Sequence, residues 1–388
     1  MNQNLVDYYQ LDEFLSSEHL LIRNSIRDSA HIAFGGQIDK WAQGHEGIPD
    51  LMRKLGDMGV LGSFIPEEYG GGGLDQISYG IMMQELEAVD SAIRSAASVQ
   101  SSLVMFPIYE YGSEQQKKEL LPGLAAGELI GAFGLTEPNH GSNPTGMETV
   151  LKKHKESYLL TGAKAWITNA PICDVAVVWA KDEEGEIRGV VLRKGVPGFT
   201  VEETVNKWSL RASKTGSLYF DDVYVREEDL LPYIKSMRGP LSCLNSARYG
   251  ISWGVIGAAI DCYHVAVQYS LEREQFGKPI ASFQLQQKKL AEMLTEITKA
   301  QLLSWRLGVL KNENRATPQQ ISMAKRNNVQ MALQVARESR QVLGAMGIVG
   351  EYPIMRHMMN LESVITYEGT HDIHLLITGQ DITGMSAF

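Results

Sequence analysis

The sequence of 388 residues predicts an α+β fold that is mostly α. It comprises a helical N-terminal domain (1–125), a middle antiparallel β domain (126–237) and a C-terminal four-helix bundle (238–388). Three observations predict it. Apolar residues recur at helical spacing up to about residue 125 and again after Pro240. Between them the chain turns to β-branched and aromatic runs, separated by turn signals such as Asp182-Glu183-Glu184-Gly185 and Pro197-Gly198. No helical run of about ten residues interrupts those strands, which argues against a doubly wound parallel sheet.

In the first part, Glu18 to Ala33 carries Leu21, Ile22, Ile26 and Ala30 on one predicted face. Pro49 to Met58 predicts a shorter helix. Gly70 to Gly73 reads as a flexible loop, since no strand precedes it and no G-x-G-x-x-G pattern follows. Helical patterning resumes over Ile77 to Val89, Ser98 to Tyr111 and Ser113 to Leu121, where Pro122 is expected to end it. Strands are predicted at 157–160, 175–179, 189–192, 199–201 and 217–225. After Pro240, Arg248 to Arg273 is apolar on several faces, the pattern of a helix buried all round. Leu290, Met293, Leu294 and Ile297 mark the next helix. Thr317-Pro318-Gln319-Gln320 opens another with a Thr cap, Pro in the first turn and Gln placed for a capping box.

Composition excludes several functions. A formal charge of −10 with no basic cluster argues against a nucleic-acid partner. Cys173, Cys243 and Cys262 are too few and too scattered for a disulfide frame or a zinc site, so no metal is expected and a reducing compartment is. No apolar run reaches about 18 residues, so no membrane span is expected. The start, MNQNLVDYYQLDEFL, predicts neither a signal nor a transit peptide. The expectation is a cytoplasmic protein, or a mitochondrial matrix protein if the chain is a processed eukaryotic one.

The stretch that organises the chain is Tyr367-Glu368-Gly369-Thr370. Apolar residues Leu361, Val364 and Ile365 precede it at helical spacing, and Ile373, Leu376 and Ile377 follow. Gly369 breaks the two helices apart, leaving Glu368 at a helix end. A carboxylate there among apolar side chains would have a raised pKa and could act as a base. By itself, Glu before Gly more often marks a solvated helix end.

In its helical–β–helical order and its Tyr367-Glu368-Gly369-Thr370 break, the chain resembles the acyl-CoA dehydrogenase family over nearly its whole length, and within it the branch acting on glutaryl-CoA. The helical–β–helical order is that family's fold. Phe133-Gly134-Leu135-Thr136-Glu137-Pro138, followed by Gly141-Ser142, resembles its first flavin signature. The resemblance implies that Phe133, Leu135 and Thr136 lie along an FAD ring and that Ser142 also lies near the pantetheine arm of the substrate. Lys164-Ala165-Trp166-Ile167-Thr168-Asn169 resembles the second, with Trp166 packed on the flavin and Thr168 near its reactive nitrogen. Arg273, Gln275, Phe276 and Gln284 resemble a segment that reaches a neighbouring subunit's FAD. Gln341, Gly344 and Gly347 resemble the stretch that holds the same FAD from the other subunit. Together they imply FAD bound without a dinucleotide fingerprint, in a homo-oligomer, usually a tetramer. Glu368 matches the family's base, and Thr370 is expected to contact the flavin.

The specificity set comes from the same resemblance. Arg94, with Ser95 and Ser98 on the same stretch, matches the position that receives the distal carboxylate of glutaryl-CoA. An unpaired Arg in an apolar acyl pocket would cost several kcal/mol, and a carboxylate partner turns that cost into a charge-assisted pair. An Arg bridged to Glu87 or Asp90 is the structural alternative. Glu87 and Tyr367 complete the set expected around that carboxylate in members that also release CO2. Asn245 and Arg248 resemble residues lining the acyl-CoA channel. The implied electron acceptor is an electron-transfer flavoprotein. Members lacking decarboxylation, relatives acting on another short acyl chain, and a flavin-free binding paralogue are the competing readings.

Overall fold

A computed structural model of the protein describes residues 5–387; residues 1–4, where the reading of the start began, and residue 388 lie outside it. The first part is helical throughout: α1 (Ser17–Ala30), α2 (Ile38–Gly44), α3 (Leu51–Asp57), α4 (Gln76–Val89), α5 (Ser91–Ser98), α6 (Phe106–Tyr111) and α7 (Glu114–Ala125). A π-helical stretch, Val99–Met105, joins α5 to α6, so 91–111 winds as one buried rod. Two expectations fail here. Leu21 is 69% exposed, because it lies about 100° round the helix from Ile22, away from the buried Ile26 and Ala30. Pro122 does not end α7: the helix runs through it to Ala125, and burial of Leu121, Leu124 and Ala125 outweighs the one backbone bond that proline forfeits.

The middle part is a seven-stranded sheet: β1 (Gly131–Gly134), β2 (Val150–His154), β3 (Ser157–Thr168), β4 (Val175–Asp182), β5 (Ile187–Arg193), β6 (Phe199–Glu203) and β7 (Thr215–Arg226). The sheet is mixed, not wholly antiparallel as expected. β1 and β2 both run parallel to β4, β1 against Val175–Val178 and β2 against Lys181–Asp182. They are thus two pieces of one interrupted edge, and the interruption is the loop 135–149 that carries the first flavin-like motif. Neither strand shows in the pattern: one is Gly-rich and four residues long, the other half charged. Their partner β4 is a run of Val, Ala and Trp with almost no exposed side chain.

The last part begins with α8 (Arg238–Glu272), followed by a small hairpin of β8 (Glu274–Gln275) and β9 (Lys278–Pro279). Then come α9 (Gln284–Asn312), α10 (Pro318–Val342), α11 (Ile354–Val364) and α12 (His371–Thr383). Thr317 forms the anticipated capping box with Gln320. Among the described residues, α8 alone is long and apolar enough to cross a membrane, and most of that apolar stretch is buried inside the bundle. Its contact with α4 is close. A Cβ on Gly257 would lie 1.9 Å from the Gln84 carbonyl oxygen, and one on Gly254 would lie 2.2 Å from Glu87 Oε2. The glycines of α8 therefore let α4 approach until Glu87 is pressed beneath it. That approach sets up the site.

Candidate active site

The break between α11 and α12 is a tight turn with Glu368 in the left-handed region (φ +54°) and Gly369 beyond it (φ +98°). A Cβ on Gly369 would lie 2.9 Å from the His374 ring, so only glycine fits at that point. Thr370 caps α12 by accepting from the Ile373 N–H at 3.2 Å. The turn aims the Glu368 side chain inward. Some of the residue still reaches the surface, yet Oε2 is sealed from solvent and has no hydrogen-bond partner. Burial pushes this carboxyl up to about 7, against the pull of Arg94, Arg248 and Lys325. A carboxylate poised near neutrality in a water-poor pocket is equipped for general-base work.

Next to it lies a buried polar set. Arg94 on α5 is 0% exposed. Its Nε donates to Glu87 Oε2 at 2.6 Å, and its Nη2 donates to Glu87 Oε1 at 3.4 Å and to the Tyr367 hydroxyl. The Tyr367 ring lies 5.7 Å from the guanidinium carbon. Burial opposes the Arg94 charge, but Glu87 and Tyr367 outweigh it and hold the guanidinium above its ordinary pKa. Burial likewise lifts the Tyr367 phenol well above the usual range, although Arg94 draws it down. The bridge to Glu87 is therefore real, but it leaves Arg94 Nη1 buried with no partner. Asp90 is not the bridge. Its Oδ1 caps α5 at the Ala92 N–H (2.7 Å), and its Oδ2 takes Arg356 Nη1 (2.5 Å) and Asn360 Nδ2 (2.9 Å). Ser95 and Ser98 are buried on the same helix, and Ser98 shares the Arg94 face one turn on. Arg248 Nε donates to the Glu368 carbonyl at 2.7 Å and its Nη1 to Asn245 Oδ1 at 3.2 Å, so Arg248 grips the base turn and Asn245 steadies Arg248.

The two flavin-like motifs come together at the interrupted edge of the sheet. Lys164 Nζ is buried and donates to Leu135 O (3.2 Å) and Glu137 Oε1 (2.8 Å). Glu137 also accepts from the Glu148 and Thr149 N–H groups, so the loop is tied at both ends to its own strand and to β3. Burial alone would raise Glu137, but these donors hold it down to about 2, while burial lowers Lys164 to about 8 despite its partner. The Ala165 N–H donates to Thr136 O at 2.9 Å, laying the motifs side by side. At that point β3 carries a bulge, and Trp166 sits in the left-handed region (φ +61°) and is 66% exposed. Phe133 and Leu135 are buried beside it, with Thr136 and Thr168 at the half-buried rim. A strained backbone that holds an indole in the open beside backbone polar groups suits a flat, partly polar ring such as a flavin. Ser142 lies on the exposed outer turn of the same loop.

Arg273, Gln275, Phe276, Gln284, Gln341 and Gly344 are all exposed, although Gln341 Oε1 accepts from Lys289 Nζ at 2.7 Å and the Phe276 ring meets Phe283 edge-on; Gly347 alone of that set is buried. Phe276 is 94% exposed in a left-handed turn (φ +54°) at the tip of the β8–β9 hairpin. The pattern of residues alone missed three contributors: Gly254, Lys325 and the Asp90–Arg356–Asn360 clamp. Lys325 left a signal, a lone lysine within the buried stripe of Ile321, Asn328, Val329 and Ala332 on α10.

Comparison with known proteins shows the family. Sequence models of the acyl-CoA dehydrogenase N-terminal, middle and C-terminal domains match residues 16–128, 132–223 and 237–383. The chain belongs to the acyl-CoA dehydrogenase family, whose cofactor is FAD. Among solved structures, it is similar to a glutaryl-CoA dehydrogenase from Mycobacterium smegmatis in complex with FADH2. That match has a TM-score of 0.97 and 44% identity over 99% of both chains. A glutaryl-coenzyme A dehydrogenase in complex with glutaryl-CoA gives a TM-score of 0.91 and 31% identity over 95% of this chain and 96% of that one. Among curated relatives, a short-chain specific acyl-CoA dehydrogenase of Megasphaera elsdenii is 35% identical over 346 residues, 86% of this chain and 90% of the relative.

Proposed function

We propose that this chain is an FAD-dependent glutaryl-CoA dehydrogenase that oxidises its substrate and then releases the distal carboxylate as CO2, giving crotonyl-CoA. The observation that carries the reading is Arg94: a fully buried guanidinium with Nη1 free, bonded to Tyr367, the residue before the candidate base. A buried unmet donor on a charged group costs about 1–3 kcal/mol or more, and a substrate carboxylate is a partner that removes this cost. An apolar acyl chain would leave the donor unmet.

In the first step Glu368 takes a proton from the carbon next to the thioester carbonyl. FAD, when bound, accepts the hydride leaving the neighbouring carbon. Trp166, Thr168, Leu135 and Thr136 would hold the flavin ring, with Arg273 and Gln341 contributing from an adjoining subunit. In the second step the bond to the distal carboxylate breaks, CO2 leaves, and its electron pair spreads through the new double bond to the thioester carbonyl as a dienolate. Glu368, now protonated, returns its proton to the far carbon. Glu87 favours this step because it competes for Arg94 and crowds the substrate carboxylate with a like charge, which departs as neutral CO2. The family resemblance supplies an electron-transfer flavoprotein as acceptor and a tetramer as working unit. The free, buried cysteines suit a reducing compartment such as the cytoplasm.

Anaerobic incubation of the purified protein with glutaryl-CoA and an artificial acceptor, with acyl-CoA products resolved by mass, tests the proposal. Crotonyl-CoA with CO2 is the expected outcome. Glutaconyl-CoA without CO2 would overturn the decarboxylation step, and oxidation of butyryl-CoA in preference to glutaryl-CoA would overturn the role of Arg94.

A further inference from the structure

Lys325 belongs to no ion pair among the described residues, although it is 1% exposed and sits in the buried stripe of α10. Its Nζ donates to the carbonyls of Tyr367 (3.0 Å) and Gly369 (2.9 Å). Arg248 donates to the Glu368 carbonyl between them. Three consecutive carbonyls around the candidate base therefore end on two cationic side chains, from α10 and from α8. A glutamate held at positive φ is costly, and a buried cation outside any direct ion pair is costly to keep. We propose that Lys325 is a positioning residue that acts through Glu368: its ammonium clamps the turn on both sides of the base, and its charge favours the ionised carboxylate.

The charged surroundings fit two separable contributions. Glu368 is the carboxylate whose charge favours the ammonium, while Arg248 and Arg94 oppose it and the neutral His374 ring of α12 stands beside the turn. Burial draws Lys325 down to about 7, so its charge and that of Glu368 depend on each other in the range where the base must be ionised. An opposite charge within about 4–6 Å lowers a carboxyl by about 1–3 units, and losing it returns that shift. A donor lost from the turn should instead reduce the rate at every pH, since misplacing a reacting group by about 1 Å costs about 100-fold.

This inference rests on Glu368 as the base, and the test separates the two. The readout is exchange of α-deuterium from glutaryl-CoA into water by holoenzyme with its flavin chemically reduced, which reports proton abstraction without net oxidation. Glu368→Gln should abolish it. In Lys325→Met, exchange should fall about 100-fold with its acid limb moved up about one pH unit, while KM for glutaryl-CoA in the oxidising assay changes less than about threefold. Lys325→Gln, which restores N–H donors without charge, should recover most of the rate yet keep the displaced limb. Should the Met variant fail to fold, the limb of the Gln variant decides alone. Exchange within about twofold of wild type in both variants, or a limb unmoved in both, would overturn the proposal. If wild type exchanges only with a different thioester, the substrate reading fails and the Lys325 comparison is made on that thioester. Exchange with none would overturn both.

Discussion

Around Arg94 the chain has buried a charge, its counter-charge and a phenol inside one subunit, whereas around Phe276 it exposes an aromatic ring, an arginine and two glutamines to solvent. The first region is finished: Glu87, Tyr367 and Gly254 lie on three elements that meet only in the folded chain, and one unmet donor remains. The second is a surface with a strained aromatic at its tip, met within the described residues by little more than the edge of Phe283. The difference separates a polar set that the chain assembles from its own elements from a surface that it leaves open. Buried polar sets are costly when any member is removed; exposed ones reveal themselves only when their partner is present. Substitutions in the two regions should therefore differ in kind.

The largest effect is expected at Glu368. Glu368→Gln should lower turnover by about 10³-fold or more, since general-base catalysis alone contributes about 10²–10⁴. It should also stabilise the protein. A carboxyl whose folded pKa is raised is at no disadvantage below its unfolded value near 4.5, and it loses stability as pH rises toward about 7, where it must ionise while buried. At pH 8 the variant should gain about 1–3 kcal/mol, read as a higher Tm than wild type, with the gain vanishing below about pH 5. An equal Tm at both pH values would mean that Glu368 is solvated and that the buried region extends less far than described.

Arg94→Met comes next. It should reduce kcat/KM for glutaryl-CoA by about 10²–10³-fold, in keeping with about 2–5 kcal/mol for truncating one partner of a buried pair. It should also destabilise the fold by about 3 kcal/mol, because Glu87 is left buried and unpaired. The double variant Arg94→Met with Glu87→Leu should regain the stability while glutaryl-CoA remains a poor substrate and butyryl-CoA a relatively better one. Recovery of glutaryl-CoA turnover in the double variant would show that the pair is only a structural bridge.

The contrast also explains what could be read in the residues. The helical–β–helical order was legible because apolar period and turn chemistry are local, and Thr317 and the 367–370 break announced themselves by residue type. The site residues were legible through family motifs, since spacing alone left Glu368 as a helix end and Arg94 as a bridge. The parallel pairing of β1 and β2 with β4 was not legible: the two lie end to end along one side of β4, a tertiary fact with no local pattern. Gly254 and Lys325 escaped for the same reason. One matters for the atom it leaves out beneath α8, the other for carbonyls 42 and 44 residues further along the chain.

The exposed region gives the smallest effect on the isolated chain and so the most discriminating one. Surface substitutions usually change stability by less than about 0.5 kcal/mol, and Phe276→Ser should conform, because the ring has only an edge contact with Phe283 and a smaller residue relieves crowding at positive φ. If that hairpin serves only its own subunit, nothing else should change. If it completes a neighbour's FAD site, the purified variant should lose flavin on dialysis, need roughly tenfold more added FAD for half-maximal activity, and sediment as a smaller or less stable assembly. Arg273→Ala should repeat the flavin loss but leave assembly nearly intact, because a guanidinium contributes to holding phosphate and little to apolar contact between subunits. Flavin absorbance after dialysis, set beside sedimentation of the same samples, separates the two roles. Full flavin retention in both variants would place the cofactor wholly within the first region and make this exposed surface something other than a shared site.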